Sequence, residues 1–141
     1  MKILIIEDEP AIARRTRRIT QSILGEHISH IHICNSVDSG LAYLAEQEID
    51  LLLLDLNLHG ADGFSILEQM VAASFHTIII SAYKEKAIRA FEFGVLDFIG
   101  KPFNQDRLAK AFQRLQHSRG ETNTETKFLA IQKKDAIRCW L

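Results

Sequence analysis

Three acidic residues follow two short apolar runs and are the first candidates for chemistry. Glu7 and Asp8 come directly after the run at residues 2–6, and Asp55 comes directly after four leucines at residues 51–54. Short apolar runs bounded by turn-forming residues are typical of parallel strands buried on both faces. Ligands bind at the carboxyl ends of such strands, so we expect the three carboxylates to meet there. Because clustered carboxylates repel one another, the pattern predicts a Mg²⁺ site.

Two further polar residues, Ser81 and Lys101, also follow apolar runs. A carboxylate is a competent nucleophile toward phosphorus and forms an acyl phosphate, which makes Asp55 a candidate phosphoacceptor. Lys101 would then pair with the phosphoryl oxygens, and the Ser81 hydroxyl would donate a further hydrogen bond to them. Taken singly, Asp55 could be a helix cap, Ser81 a turn former and Lys101 a surface lysine. Their order at the ends of successive strands favours a shared site.

The elements that must position these residues alternate along the chain. Five apolar strands are predicted, each followed by a segment with helical spacing of apolar residues. This order predicts an α/β protein with a flavodoxin-like, doubly wound sheet, five parallel strands in the order 2-1-3-4-5 and helices on both faces. The predicted strands lie at residues 2–6, 28–34, 51–54, 77–80 and 95–99, and the helices begin near Pro10, Ser36, Gly63, Lys84 and Asn104.

Composition is ordinary for a soluble globular protein and excludes several classes. The chain has 141 residues, 47% of them hydrophobic, and a net charge of −1, so it offers no global attraction to nucleic acid or membrane. No apolar run approaches the ~20 residues that a transmembrane helix needs. Cys34 and Cys139 lack the spacing of a metal or disulfide framework, which favours a reduced, cytoplasmic setting. His30 and His32 are interpreted as solvent-facing residues of an edge strand.

A basic cluster lies on the outward face of the first predicted helix. It consists of Arg14, Arg15, Arg17 and Arg18. We interpret it as a solvated face, with docking of an acidic partner as the alternative.

The composition changes after residue 118. We predict one domain over residues 1–118, a polar, Thr-rich linker at residues 119–126, and two strands within residues 127–141 that begin a further β-rich domain. A two-stranded hairpin is marginal alone, so the rest of that domain would lie outside this chain.

The chain resembles the receiver domain of two-component response regulators. The resemblance covers about residues 1–118 and is carried by four segments: Ile-Ile-Glu-Asp-Glu-Pro at residues 5–10, Leu-Leu-Asp-Leu-Asn at residues 53–57, Ile-Ile-Ser-Ala at residues 79–82, and Leu-Asp-Phe-Ile-Gly-Lys-Pro-Phe at residues 96–103. The resemblance implies that Asp55 accepts a phosphoryl group from a sensor histidine kinase.

The resemblance also implies roles for the neighbouring residues. Glu7 and Asp8 match the metal-binding acid pair, and the backbone carbonyl of Asn57 would complete the Mg²⁺ shell. Ser81 and Phe98 match the residues that rearrange on activation, and Lys101–Pro102 is a candidate cis peptide. Three positions depart from the family pattern: Glu7 where Asp is commoner, His59 where Pro is common, and Phe98 where Tyr would form a hydrogen bond.

The tail extends the resemblance. Residues 127–140 look like the opening strands of a LytTR-type DNA-binding domain, which often follows a receiver of this kind. On this hypothesis phosphorylation changes the face made by helix four, strand five and helix five, and so controls homodimerisation or the downstream DNA-binding domain. The chain would then be a signalling phosphoacceptor whose only catalysis is of its own phosphorylation and dephosphorylation.

Three alternatives stay open. An aspartyl-phosphate hydrolase typically has a second acid two residues after the nucleophile, where this chain has Asn57. A flavin- or nucleotide-binding module needs a phosphate-binding loop after strand one, where this chain has Glu-Asp-Glu at residues 7–9. A receiver that acts as a phosphate-independent interaction module is the third.

Overall fold

A five-stranded parallel sheet forms the centre of the molecule. The computed structural model describes residues 1–58, 61–69 and 74–121. The strands pair in the order β2-β1-β3-β4-β5, so the predicted order 2-1-3-4-5 and the flavodoxin-like fold are confirmed. Their bounds are β1 Lys2–Ile6, β2 His30–Cys34, β3 Leu51–Leu54, β4 His76–Ser81 and β5 Asp97–Gly100.

Helices cover both faces of this sheet, as predicted. They are α1 Pro10–Leu24, α2 Val37–Glu46, α3 Phe64–Gln69, α4 Ala87–Glu92 and α5 Gln105–Glu121. Side chains alternate between the faces along each strand. Ile3 and Ile5 pack in a cluster with residues of α1 and α5, whereas Leu4 and Ile6 pack in a cluster with residues of α3 and α4. Burial on both faces explains why β3 consists of four leucines.

Start and stop signals in the sequence account for several helix ends. Pro10 lies in the first turn of α1, where its missing N–H costs no helical hydrogen bond. Gly25 ends that helix with φ of 48°, and Gly94 has φ of 82° after α4, a backbone region that favours glycine. Ser36 caps α2 by a reciprocal capping box with Ser39.

The hairpin after β3 was not predicted. Its two short antiparallel strands are Asn57–Leu58 and Ala61–Asp62. The carboxylate of Asp62 then accepts a hydrogen bond of 2.9 Å from the Phe64 N–H at the start of α3. Strands of two residues carry too little apolar periodicity to be recognised in a sequence.

Three other predictions differ from the structure in detail. The helix predicted to begin near Lys84 is divided into a 3₁₀ turn at Lys84–Lys86 and α4. Helix α5 continues to Glu121, three residues into the predicted linker. His32 is half-buried rather than solvent-facing, because its ring stacks on Tyr43 of α2 with centroids 4.2 Å apart.

Several predictions fall outside the described residues. These are the remainder of the linker, the strands at residues 127–141, Cys139 and His59. Within the part of the chain that the structure describes, no helix is long and apolar enough to cross a membrane.

Candidate functional site

The candidate site lies at the carboxyl edge of the sheet, where backbone pairing continues beyond the strand ends. The Asp55 N–H donates to the Ile6 carbonyl at 3.0 Å, and the Glu7 N–H donates to the Cys34 carbonyl at 3.0 Å. The Lys101 N–H donates to the Ser81 carbonyl at 2.9 Å. Sheet register therefore places the acids and the lysine, which explains how residues 94 positions apart in sequence come into contact.

The three predicted carboxylates do converge. Glu7, Asp8 and Asp55 each offer an oxygen, and these oxygens lie within 4.8 Å of one another. Glu7 is 5% exposed and Asp55 is 6% exposed, whereas Asp8 is half-buried. Mg²⁺ prefers a few carboxylate oxygens together with water, so this donor set fits the ion that the sequence predicts.

Lys101 supplies positive charge to this cluster. Its ammonium group donates to Glu7 Oε1 at 2.6 Å and to Asp55 Oδ2 at 3.2 Å. Burial alone would lower the pKa of this lysine, but the hydrogen bonds and the negative charge of both carboxylates outweigh it and raise the pKa. Lys101 is therefore a fixed cation beside Asp55. The peptide bond between Lys101 and Pro102 is cis, as predicted.

Glu7 holds its proton more tightly than an ordinary glutamate. Burial raises the pKa of its carboxyl from 4.5 to about 7, with the neighbouring Asp55 carboxylate acting in the same direction and Lys101 opposing both. The folded protein therefore binds a proton on Glu7 at pH values where the unfolded chain has already released it.

This raised pKa predicts a pH effect on the metal-free protein. The contribution of Glu7 to the free energy of unfolding is fully present below about pH 4.5 and is lost as the pH rises through about 7. The variant Glu7→Gln cannot titrate. We therefore expect its stability relative to the parent to increase from pH 5 to pH 8, by at most about 1.4 kcal/mol per pH unit. Urea unfolding in the presence of a chelator measures both proteins, and a stability difference that is constant over this range would contradict the prediction.

Asn57 connects the acid cluster to the loop after β4. Its backbone N–H donates to Asp55 Oδ1 at 3.1 Å, and its side-chain amide donates to the Tyr83 hydroxyl at 3.3 Å. Coordination of Mg²⁺ by the Asn57 carbonyl stays a prediction. Tyr83 was missed by sequence reasoning, because an aromatic residue two positions after a strand carries no signal of its own.

Ser81 and Phe98 lie beside the cluster rather than in it. Ser81 is fully buried, and its Oγ accepts the Tyr83 N–H at 3.0 Å. It lies at the end of β4, two residues beyond Ile79, the pairing partner of Leu54. Phe98 is 9% exposed and packs in the apolar cluster that includes Ala90 of α4. Their roles in switching stay predictions.

Gly63, which the sequence predicts only as the approximate start of a helix, is a further position that the site requires. A β-carbon at this residue would lie 2.8 Å from the Leu56 Cα and 2.9 Å from the Asp55 carbonyl oxygen. Backbone cannot move aside as a flexible side chain can. Glycine is therefore required here if the hairpin is to fold back against the residue that carries the candidate nucleophile.

Arg15 is a member of the basic cluster that we interpreted as a solvated face, but its side chain contacts the protein. Its guanidinium donates to the Phe103 carbonyl at 2.8 Å and lies 4.8 Å from the centre of the Phe103 ring. Helix α1 is thus bound to the loop that carries Lys101. The contact depends on two residues 88 positions apart, so periodicity within α1 could not reveal it.

Comparison with known proteins identifies the fold and its family. The model of the family described as the response regulator receiver domain matches residues 3–113. Among solved structures, the response regulatory domain of protein MrkE from Klebsiella pneumoniae has a TM-score of 0.74 and 26% identity, covering 84% of this chain and 97% of that one.

Curated relatives carry names from sensory transduction. The protein LytR of Streptococcus mutans is 35% identical over 83% of this chain and 50% of its own length. LytT of Bacillus subtilis is 27% identical over 97% of this chain and 57% of its own length. The chain thus spans about half the length of the curated relatives it matches.

Proposed function

This chain belongs to the response regulator receiver domain family, and we propose that Asp55 is its phosphoacceptor. In this proposal Asp55 receives a phosphoryl group from the phosphohistidine of a sensor histidine kinase in a Mg²⁺-dependent reaction. Membership of this family makes the chain a signalling protein rather than a metabolic enzyme.

One observation carries this proposal: the convergence of three carboxylates and one lysine at the carboxyl edge of the sheet. The carboxylate oxygens of Glu7, Asp8 and Asp55 lie within 4.8 Å of one another, and Lys101 contacts two of these residues. A structural role alone would not require three acids where a single helix cap suffices. Binding a divalent cation together with a phosphoryl group accounts for all four charges.

The chemistry follows from the positions of these groups. An oxygen of Asp55 forms a bond to phosphorus while the bond from phosphorus to the donor imidazole nitrogen breaks, and the released imidazole takes up a proton from solvent. Lys101, already 3.2 Å from Asp55, pairs with an oxygen of the transferred group. Mg²⁺ held by Glu7, Asp8 and Asp55 would supply charge neutralisation between the anionic donor and the anionic acceptor.

Switching is the next part of the proposal. The phosphoryl group on Asp55 carries roughly −1.5 to −2 charges in place of the carboxylate's single charge, and its oxygens draw Lys101 and the Ser81 hydroxyl toward it. Tyr83 is bonded to Ser81 and to Asn57, so movement of Ser81 would alter the loop that leads to α4. Phe98 packs in the same apolar cluster as Ala90 of α4 and would repack with it.

The output is proposed from the relatives and from the tail. In this proposal the face formed by α4, β5 and α5 controls homodimerisation and a LytTR-type DNA-binding domain that begins near residue 127. Names given to the curated relatives, such as sensory transduction protein LytR, support a role in signal transduction, and control of transcription is the part that this proposal adds.

The test is stoichiometric labelling of the whole chain by a small phosphodonor such as acetyl phosphate. We expect one phosphoryl group per chain by mass spectrometry, labelling that is lost with a chelator, and a linkage with the hydroxylamine sensitivity of an acyl phosphate. Steady release of many phosphates per chain would instead favour the hydrolase, and absence of labelling would favour a phosphate-independent interaction module.

A further inference from the structure

A second charged cluster lies away from the acceptor site, between β5 and α5. Asp97, the first residue of β5, is 2% exposed although it is an acid in a strand of apolar residues. A buried carboxylate is costly unless its oxygens are bonded. Asp97 Oδ1 accepts the Phe98 N–H at 2.8 Å, and its remaining bonds come from α5.

Two guanidiniums from α5 lie beside Asp97, and Arg107 makes the hydrogen bonds, whereas Arg114 Nη1 lies 3.7 Å from Asp97 Oδ1. Arg107 Nη1 donates to Asp97 Oδ2 at 2.8 Å and Nη2 donates to Asp97 Oδ1 at 3.0 Å. The same Nη2 also donates to the Phe98 carbonyl at 3.0 Å. Arg107 therefore binds both the side chain of one strand residue and the backbone of the next.

The arginine is itself held in place at the start of its helix. Its backbone N–H donates to Asn104 Oδ1 at 2.9 Å in the first turn of α5. The Arg107 side chain is 36% exposed, whereas the Asp97 side chain is 3% exposed, so the arginine covers a buried acid from the helix side. A shift of α5 relative to β5 would move both Arg107 and Arg114 away from that acid.

The strand bound in this way is the one that ends at the acceptor site. Phe98 is followed three residues later by Lys101, whose ammonium contacts Glu7 and Asp55. On the other side of the sheet, the Phe98 ring packs in the cluster that includes Ala90 of α4. Arg107 thus contacts the backbone of the residue proposed to repack on phosphorylation, while standing on the helix that leads out of the receiver domain.

We propose that Arg107 is a positioning residue that couples the position of α5 to that of β5. A conformational change at Asp55 and Lys101 then reaches α5 through the hydrogen bonds of Arg107 to Asp97 and Phe98. This inference rests on the proposed phosphoacceptor function. The coupling requires the geometry of a guanidinium, because a lysine carries the same charge but cannot form planar, forked hydrogen bonds to both Asp97 oxygens and the Phe98 carbonyl.

Hydrogen–deuterium exchange of the whole chain tests the coupling, with Mg²⁺ and beryllofluoride as the phosphoryl mimic. The proteins compared are the parent, Arg107→Gln, Arg107→Lys, and Lys110→Gln, a control that removes a positive charge from an exposed position of the same helix. In the parent we expect the mimic to change exchange in peptides covering residues 97–103 and 105–117 by about threefold or more. Both Arg107 variants should keep the first response and lose the second, while Lys110→Gln should keep both.

The outcomes separate this inference from the function it rests on. A parent that is not labelled on Asp55 by the phosphodonor would refute the proposed function itself. A labelled parent whose α5 does not respond, or Arg107 variants whose α5 responds as in the parent, would overturn the coupling alone. If Arg107→Gln proves unfolded by circular dichroism, Arg107→Lys, which keeps the positive charge beside Asp97, decides the question.

Discussion

Replacing Asp55 with asparagine is expected to reduce Mg²⁺-dependent labelling by a phosphodonor about a hundredfold or more, equivalent to a barrier increase of about 2.7 kcal/mol or more. Asparagine has nearly the same shape but is not an anionic nucleophile. Its Oδ1 can still accept the Asn57 N–H that now bonds Asp55 Oδ1 at 3.1 Å, so the loop keeps its anchor. The loss should therefore reflect chemistry rather than unfolding.

The measurement is the rate of phosphoryl incorporation by mass spectrometry at fixed Mg²⁺ and acetyl phosphate. Asp38→Asn is the matched control, because Asp38 is an acid in the first turn of α2 and lies outside the carboxylate cluster. It should be labelled as fast as the parent. Undiminished labelling of Asp55→Asn would show that another residue accepts the phosphoryl group and would refute the assignment.

The framework of the site could be predicted because it depends on strand ends. Four aliphatic residues before Glu7 and four leucines before Asp55 predict where β1 and β3 stop, and a parallel sheet brings such ends to one edge. Lys101 follows the same rule at the end of β5. For these residues, the end of a strand that is predicted from the local sequence pattern also determines the position in the folded protein.

Contacts that depend on how a helix lies on the sheet could not be predicted in this way. The bond from Arg107 to Asp97 and the bond from Arg15 to Phe103 each require a particular rotation and height of a helix over a strand or loop. Helical periodicity indicates which face is buried but not which strand residue it meets. The one available signal was Asp97 itself, an acid between Leu96 and Phe98 in a buried strand, which needs a cation nearby.

The raised pKa of Glu7 could not be predicted from the sequence either. The acid pair predicts a metal site, but it does not show that one acid is buried and hydrogen-bonded to a lysine. In the structure Lys101 lies closer to Glu7, at 2.6 Å, than to Asp55, at 3.2 Å. Lys101 therefore partly neutralises the cluster when no cation is bound.

Replacing Lys101 with methionine should lower the stability of the metal-free protein and raise its affinity for Mg²⁺. Without its ammonium group, Glu7 and Asp55 are left as neighbouring acidic groups that are 5% and 6% exposed and have lost their buried cation. We expect the metal-free protein to lose about 1–3 kcal/mol of unfolding free energy near pH 7.5. Mg²⁺ should bind roughly tenfold more tightly, because removing a nearby positive charge removes about 1.4 kcal/mol of repulsion.

Urea unfolding with a chelator measures the first effect, and calorimetric titration with Mg²⁺ measures the second. Lys110→Met is the control, since it removes a lysine from an exposed position of α5, and it should change neither quantity by more than about 0.5 kcal/mol. Added Mg²⁺ should then restore more stability to Lys101→Met than to the parent, because the ion takes over the neutralising role of the ammonium group. Unchanged or weaker Mg²⁺ affinity in that variant would mean that the lysine does not compete with the cation for Glu7 and Asp55, and that the two carboxylates do not form the cation site.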